Sequence, residues 1–581
     1  MPIYKPPVRD VRFVLSDLLR LQERMPSLDD DLVNSIIEEA ARFGAEVVAP
    51  LNQPGDRQGC TRHPDGTVST PAGYREAYRQ YRQAGWGTLA LPEEHGGQGL
   101  PHVLATVVEE FLNSACHAFN MYGGLTHGAV AALIAKGSEK LQATYLPKLV
   151  SGEWLGTMAL TEAQAGTDLG LIRTRAVPAG EGAYAIDGEK IFCSGGEHDL
   201  TENIVHLVLA KLPGAPGGAR GISLFLVPKI LPNGERNTVS CGSIEHKMGV
   251  HGSATCVMNF DGATGWLVGD ENDGLAAMFI MMNAARLSCA NQGLAQAELA
   301  YQNAVAYALD RRQGRAPGSA AAAEPIIVHP DVRRMLMDAR VFTEGFRALV
   351  LWTALELDLS HTAGAPDARE AAEALVSLLT PILKGYGTDR GFETAVAMQQ
   401  VFGGHGYVAE CGMEQIVRDA RVAMLYEGAN GVQALDLVVR KLVRDGGEVA
   451  ERLFALVEAD CRHGPEFIAE PVRAALADAR AAAQWLLANA ATGPHNLGAG
   501  SYAFMELMGT LALGWSWLRI AQAAESRLAD GGGGAPFYEG KLATARYCAA
   551  RALTGTAGLR QKVEAGAETL MAMPLEAFTR A

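Results

Sequence analysis

Nine cysteines are spread from Cys60 to Cys548, and no two stand in a C-x-x-C pair or cluster with histidines. That spacing excludes a local zinc site. The odd count argues against a disulfide framework, so the cysteines read as buried thiols of a reducing compartment. No stretch reaches the roughly 18 apolar residues that a membrane span needs. The nearest run, GLAAMFIMMNAARLSCA (274–290), is interrupted by Asn283 and Arg286. The N-terminal MPIYKPPVRDVRFVLSDLL lacks a charged segment followed by an apolar one, so no signal peptide is expected. Positive charge is in deficit, with a net −15 and a pI near 5.5. Such a chain is a poor ligand for a nucleic-acid backbone or an anionic membrane. There is neither a G-x-x-x-x-G-K-[ST] loop nor a G-x-G-x-x-G after a strand. A nucleotide cofactor, if bound, is not held by a P-loop or a Rossmann unit. A soluble, cytoplasmic protein without metal is expected.

What is present is ordinary globular material, 48% apolar and 20% charged over 581 residues. At roughly 100–200 residues per domain, that length allows about three to five domains. Residues 1–157 read as helix: Leu32, Ile36, Ile37, Ala40 and Ala41 recur at helical spacing behind an acidic start. LPEEHGGQGLP (91–101) is a glycine-rich break. From 158 to 273 the texture becomes short and β-branched. AYAIDGEKIFCSGG (183–196) carries a D-G turn that predicts a hairpin, and IVHLVLAKL, GISLFLVPK and ATCVMNFDGA predict strands. Residues 274–445 are helical again, interrupted by an exposed loop, GRAPGSAAAAEP (314–325). An Ala-rich helical tail fills 446–581, with GPHNLGAG and DGGGGAP as separators. The expected fold is mainly α with an inserted β domain and an extra C-terminal helical domain.

MLYEGANGVQALDL (424–437) places Glu427 between an aromatic residue and a glycine. Two readings stand. Glu427 is an ordinary helix-start carboxylate stabilised by the helix dipole, or it is a carboxylate in an apolar pocket suited to proton transfer.

Three motifs fall where the texture changes: LPEEHGGQGL (91–100), MALTEAQAGTDLG (158–170) and QQVFGGHGYVAECGMEQIVRDARVAMLYEG (399–428). In this order and spacing they resemble the acyl-CoA dehydrogenase family over residues 30–445. The length, the tail, IFCSGGEHD and YEG-x-NGVQALDL resemble its branch with a C-terminal helical extension, which takes 3-(methylthio)propanoyl-CoA or straight-chain acyl-CoA. The resemblance implies an N-terminal helical domain, a middle β-barrel and a helical bundle. It also implies FAD and removal of an α-proton and a β-hydride from an acyl-CoA, leaving the trans-2-enoyl-CoA. Glu427 matches the family's base. Some relatives carry the base just before the arginine that opens the second helical region. Here that arginine is Arg286 and its predecessor Ala285 cannot accept a proton. Asn283, Arg286 and Gly428 are expected near the thioester, Arg286 reading otherwise as a helix-surface charge.

For FAD, Leu160 and Thr161 match the segment facing the isoalloxazine ring. Gly166 and Thr167 match a Gly-Ser pair near the pyrophosphate, Thr keeping the hydroxyl. Phe192 and Ser194 stand where relatives have Trp and Thr. Arg311, Gln400, Gly403 and Gly404 match residues that reach a neighbouring subunit's FAD, which implies a homodimer or larger oligomer. His405 and Tyr407 read as packing residues. Ala429 stands where many relatives have Thr, and Gly431 where some have Gln, which weakens two FAD contacts. The implied acceptor is an electron-transfer flavoprotein. The rival readings are an acyl-CoA oxidase and a non-catalytic scaffold. The Trp-bearing tail is expected to cover the helical domain and help fix a dimer.

Overall fold

The computed structural model describes residues 2–491, 493, 495–531 and 534–579, with the side chains of 283 and 284 outside that description. Two compact units divide the chain: Ile37–Ser288, and Met1–Ile36 with Cys289–Ala581.

The first unit opens on helices. α1 (Asp30–Phe43) buries Val33, Ile36, Ile37, Ala40 and Ala41. Leu32, expected on this face, is exposed, because Val33 rather than Leu32 stands three residues before Ile36. After α2 (Tyr74–Gln83), the glycine-rich break folds tightly: a Cβ on Gly97 would lie 2.0 Å from the Leu91 carbonyl oxygen. α3 (His102–Lys136) is mostly buried, with polar Glu110, Asn113 and His117 among its buried residues and one non-helical residue at Cys116. α4 (Glu139–Val150) leads into the sheet.

Seven strands follow: β1 (Trp154–Ala159), β2 (Arg175–Gly180), β3 (Ala183–Ser194), β4 (Asn203–Lys211), β5 (Ile222–Pro228), β6 (Val239–Ile244) and β7 (Thr255–Val268). The path β4-β2-β3-β7-β5 returns to β4 and closes a barrel, with β1 parallel to β4 and β6 on β7. β4 is buried from Asn203 to Ala210 and largely apolar, because both its faces are covered. Val205, Leu207 and Leu209 join Leu133, Leu146 and Met278, while Val208 and Ala210 join Phe225, Met258 and Phe260. The D-G pair makes no hairpin. Asp187 and Gly188 lie inside β3 at a register shift, where Asp187 accepts from the Gly262 amide at 2.7 Å. Gly188 is needed there because a Cβ would come within 2.5 Å of Thr174 Oγ1. The turn lies earlier, where Glu181 and Gly182 take left-handed backbone between β2 and β3.

The second unit is helical. α5 (Gly274–Asp310), α6 (Pro330–Thr362) and α7 (Pro366–Val401) are long, and 314–325 is the expected exposed loop. α8 (Met413–Arg421) and α9 (Asn430–Leu435) flank Glu427. The tail adds α10 (Glu448–Cys461), α11 (Glu466–Asn489), α12 (Asn496–Ala529), α13 (Ala535–Tyr547) and α14 (Thr556–Glu564). Both expected separators are thus shorter than read: α12 starts inside GPHNLGAG and α13 inside DGGGGAP. α12 packs on α6, α7 and α9, and small residues let it approach. A Cβ on Gly345 would lie 2.4 Å from Trp517 Nε1, which itself donates to the Val341 carbonyl at 2.9 Å. Buried Lys541 bridges Asp10 and Glu344, and buried Arg347 bridges Asp10 and Glu298. These ion pairs tie the N-terminal segment and the tail to α5 and α6. All nine cysteines are thiols, seven of them buried. Among the described residues no helix is long and apolar enough to cross a membrane.

Candidate active site

The barrel unit carries the residues matched to the flavin. Leu160 and Thr161 follow directly on β1, and their carbonyls are held from behind. Lys190 Nζ donates to the Leu160 carbonyl at 2.9 Å, and the Ile191 amide to that of Thr161 at 2.9 Å. Lys190 is fully buried and also donates to Glu162 Oε1 at 2.9 Å. Glu162 takes four more bonds: Thr174 Oγ1 at 2.6 Å, the Thr174 amide at 3.0 Å, the Arg173 amide at 2.6 Å and Gln164 Nε2 at 2.5 Å. Burial pushes the Glu162 carboxyl up, but Lys190, Thr174 and the Arg173 amide outweigh it and hold the group at about 2. Burial pulls Lys190 down, against the attraction of Glu162. This clamp leaves the Leu160 and Thr161 side chains half-buried, with Gly166 and Thr167 exposed just beyond.

Phe192 is 59% exposed and sits at φ +57°, in a β-bulge where the β3–β7 register shifts between Lys190 and Cys193. A bulge re-aims a side chain, and left-handed backbone costs a non-glycine residue about 1–2 kcal/mol. An aromatic ring held out of an apolar barrel at that cost is a candidate stacking surface. Half-buried Ser194 follows it. An exposed ring together with hydroxyls at Thr161, Thr167 and Ser194 fits a flavin. Arg286 is only 7% exposed, which overturns its reading as a surface charge. Ala285 packs on the core between helices and sheet. The Asn283 side chain lies outside the described residues.

The helical unit carries Glu427. Helix α9 begins at Asn430, and Ala429 is its cap. Glu427 therefore stands outside the helix, at φ +54°, followed by Gly428 at φ +88°. The helix-start reading fails, because two left-handed residues turn the chain before the first helical amide. Glu427 is half-buried. Behind it, Lys384 of α7, 0% exposed, donates to the Gly428 carbonyl at 2.8 Å and to Asn430 Oδ1 at 2.8 Å. Gln433 Nε2 donates to the carbonyls of Glu427 at 3.3 Å and Gly428 at 3.2 Å. Asn430 Nδ2 donates to Thr388 Oγ1 at 2.9 Å, to the Gly385 carbonyl at 3.1 Å and to Asp389 Oδ1 at 2.7 Å. The Tyr426 hydroxyl donates to Gln292 Oε1. Gly431 is exposed and open around its Cα, so the missing Gln leaves space rather than a buried gap.

Arg311, Gln400, Gly403 and Gly404 are all exposed. Tyr307 stacks on Phe402 at 4.2 Å and its hydroxyl lies 2.8 Å from His405 Nδ1, which joins the end of α5 to the glycine turn. Tyr407 is 88% exposed, so it is not a packing residue within this chain. The short turn, with Gly403 at φ +57°, projects it outward. The sequence reading missed Lys190, Glu162, Lys384 and Asn430. For the two lysines the one signal is an apolar context, KIFC and PILKGYG.

A half-buried carboxylate on a left-handed turn and an exposed aromatic ring among hydroxyls are groups that a flavin-dependent carbon–carbon dehydrogenase needs. Family models match in series: the acyl-CoA dehydrogenase N-terminal domain over 33–153, the middle domain over 157–263 and the C-terminal domain over 272–442. An acetyl-CoA dehydrogenase C-terminal-like model matches 451–574. The chain belongs to the acyl-CoA dehydrogenase family, FAD enzymes that desaturate an acyl-CoA. It is 45% identical to 3-methylmercaptopropionyl-CoA dehydrogenase of Ruegeria pomeroyi, over 98% of this chain and all of that protein. It is 33% identical to the broad-specificity linear acyl-CoA dehydrogenase FadE5 of Mycobacterium tuberculosis, over the whole of both. The fold matches a Bacillus anthracis acyl-CoA dehydrogenase complexed with FAD, with a TM-score of 0.74 and 20% identity over 93% of this chain and 88% of that one.

Proposed function

We propose that Glu427 is the base that removes the α-proton of a bound acyl-CoA, and that the thioester is 3-(methylthio)propanoyl-CoA or a straight-chain acyl-CoA. The observation that carries this is the backbone of Glu427. A carboxylate kept in left-handed conformation over a buried lysine is aimed rather than merely solvated. The two relatives above act on those two thioester classes by name. Bound FAD would supply the acceptor for the β-hydride. Leu160, Thr161, Gly166, Thr167, Phe192 and Ser194 hold it within the chain: the ring of Phe192 for stacking, the hydroxyls for hydrogen bonds. Arg311, Gln400, Gly403 and Gly404, all exposed, serve a second copy, so the working form is a homodimer or larger. Asn283, Arg286 and Gly428 are all assigned to the thioester from the sequence resemblance. Glu427 holds the abstracted proton until product leaves. Electrons then pass to an electron-transfer flavoprotein. Nine thiols suit work in the cytoplasm.

The test is anaerobic mixing with 3-(methylthio)propanoyl-, butanoyl-, octanoyl- and palmitoyl-CoA while flavin absorbance is followed. Bleaching by one chain-length class, lost in Glu427→Gln, is expected. Bleaching that persists in Glu427→Gln removes the base assignment. Prompt peroxide formation in air would make the protein an oxidase instead.

A further inference from the structure

We infer that the C-terminal extension positions the base: Tyr502 of α12 acts through Asp389, Asn430 and Lys384 on the loop that carries Glu427. This rests on Glu427 being the base. Left-handed backbone at a non-glycine residue does not hold itself; it persists where the surroundings over-determine it. Here the surroundings are a continuous polar chain. The Tyr502 hydroxyl donates to Asp389 Oδ2. Asp389 Oδ1 accepts from Asn430 Nδ2 at 2.7 Å. Asn430 Oδ1 and the Gly428 carbonyl share Lys384 Nζ, each at 2.8 Å. Lys384, Thr388 and Gln433 are fully buried and Asn430 nearly so. In that buried inner part a lost hydrogen bond is not replaced by water, whereas the Tyr502–Asp389 bond forms its exposed outer end.

The helix that supplies Tyr502 is locked in register. Tyr502, Met505, Glu506 and Gly509 stand at i, i+3, i+4 and i+7, one face of α12. A Cβ on Gly385 would lie 2.1 Å from Met505 Sδ, and one on Gly509 2.3 Å from Tyr386 Cγ. Arg390 pairs with Glu506 at 2.6 Å. The same stripe thus touches Gly385, Tyr386, Asp389 and Arg390 of α7, beginning at the residue after Lys384. Tyr502 itself is 41% exposed, so its hydroxyl can be removed with little loss of packing.

The experiment uses the full-length, FAD-loaded protein and Tyr502→Phe, Asp389→Asn, their double variant and Glu427→Gln. Flavin reduction is timed anaerobically with α-deuterated and ordinary thioester, alongside thioester affinity and melting temperature. Tyr502→Phe is expected to bind thioester unchanged and to reduce flavin about fivefold more slowly, with a larger deuterium effect, because a misaimed base slows proton removal. The double variant is expected to be no slower than Asp389→Asn, since both act on one chain of bonds. A lower melting temperature with an unchanged reduction rate and isotope effect would overturn the inference and leave Tyr502 a structural contact. Bleaching that survives in Glu427→Gln would instead remove the base assignment on which it rests.

Discussion

Two buried lysines hold the Leu160–Thr161 segment and the Glu427–Gly428 turn, and they do so differently. In the barrel unit Lys190 clamps the Leu160 carbonyl and pairs with Glu162. Every partner of that clamp lies between 160 and 191, so the segment and its support are one local piece of chain. In the helical unit Lys384 clamps the Gly428 carbonyl, and its bonds run through the amide of Asn430. That support draws on three distant stretches, around 384, 430 and 502. An ionic clamp suits a segment that must only stay in place. An amide hub with several donors and acceptors suits a loop whose angle matters, because each bond constrains a direction.

Breaking the ionic clamp is expected to have the largest effect. Lys190→Met leaves Glu162 buried without its cation, and loss of one partner of such a pair costs about 3–5 kcal/mol. Melting with and without FAD should show lower stability and weaker FAD retention. Acid gives the same result more gently. Glu162 sits at about 2 in the fold against 4.5 unfolded, so its contribution is complete above pH 4.5 and is lost as pH falls towards about 2. The span corresponds to about 3 kcal/mol. Glu162→Gln should flatten that stretch of the stability–pH curve measured by denaturant titration. Breaking the other clamp should act on rate first: Lys384→Met is expected to slow flavin reduction about a hundredfold in protein that still binds FAD. The smallest effect sharpens the comparison rather than breaking it. Phe192→Gly relieves left-handed backbone and should gain about 1 kcal/mol of stability at most, while FAD dissociates faster in equilibrium dialysis.

What the sequence made legible followed from how local each signal is. The Y-E-G motif, Phe192 and the Gly-Thr pair are short and contiguous, so the family resemblance picked them out. The two alternating textures located barrel and helices for the same reason. Gly188 misled, because a D-G pair serves a hairpin or a bulge equally well, and the Thr174 contact that decides between them is tertiary. Tyr407 misled because an aromatic residue among glycines looks like packing. Lys384 was silent because its partner Gly428 is 44 residues away, and Tyr502 more so, at 113 residues from Asp389. The side chains that hold the Glu427–Gly428 turn are those that sequence proximity cannot reveal.

The glycines at 345, 385 and 509 have an implication for gene architecture. Each exists to admit a specific bulky partner across the α12 contact: the Trp517 indole, the Met505 thioether and the Tyr386 ring. Such mutually moulded surfaces evolve together. A chimera that joins this catalytic core to another relative's extension would place foreign side chains against these notches. Recombination within the family should therefore tolerate crossovers between 445 and 496 poorly.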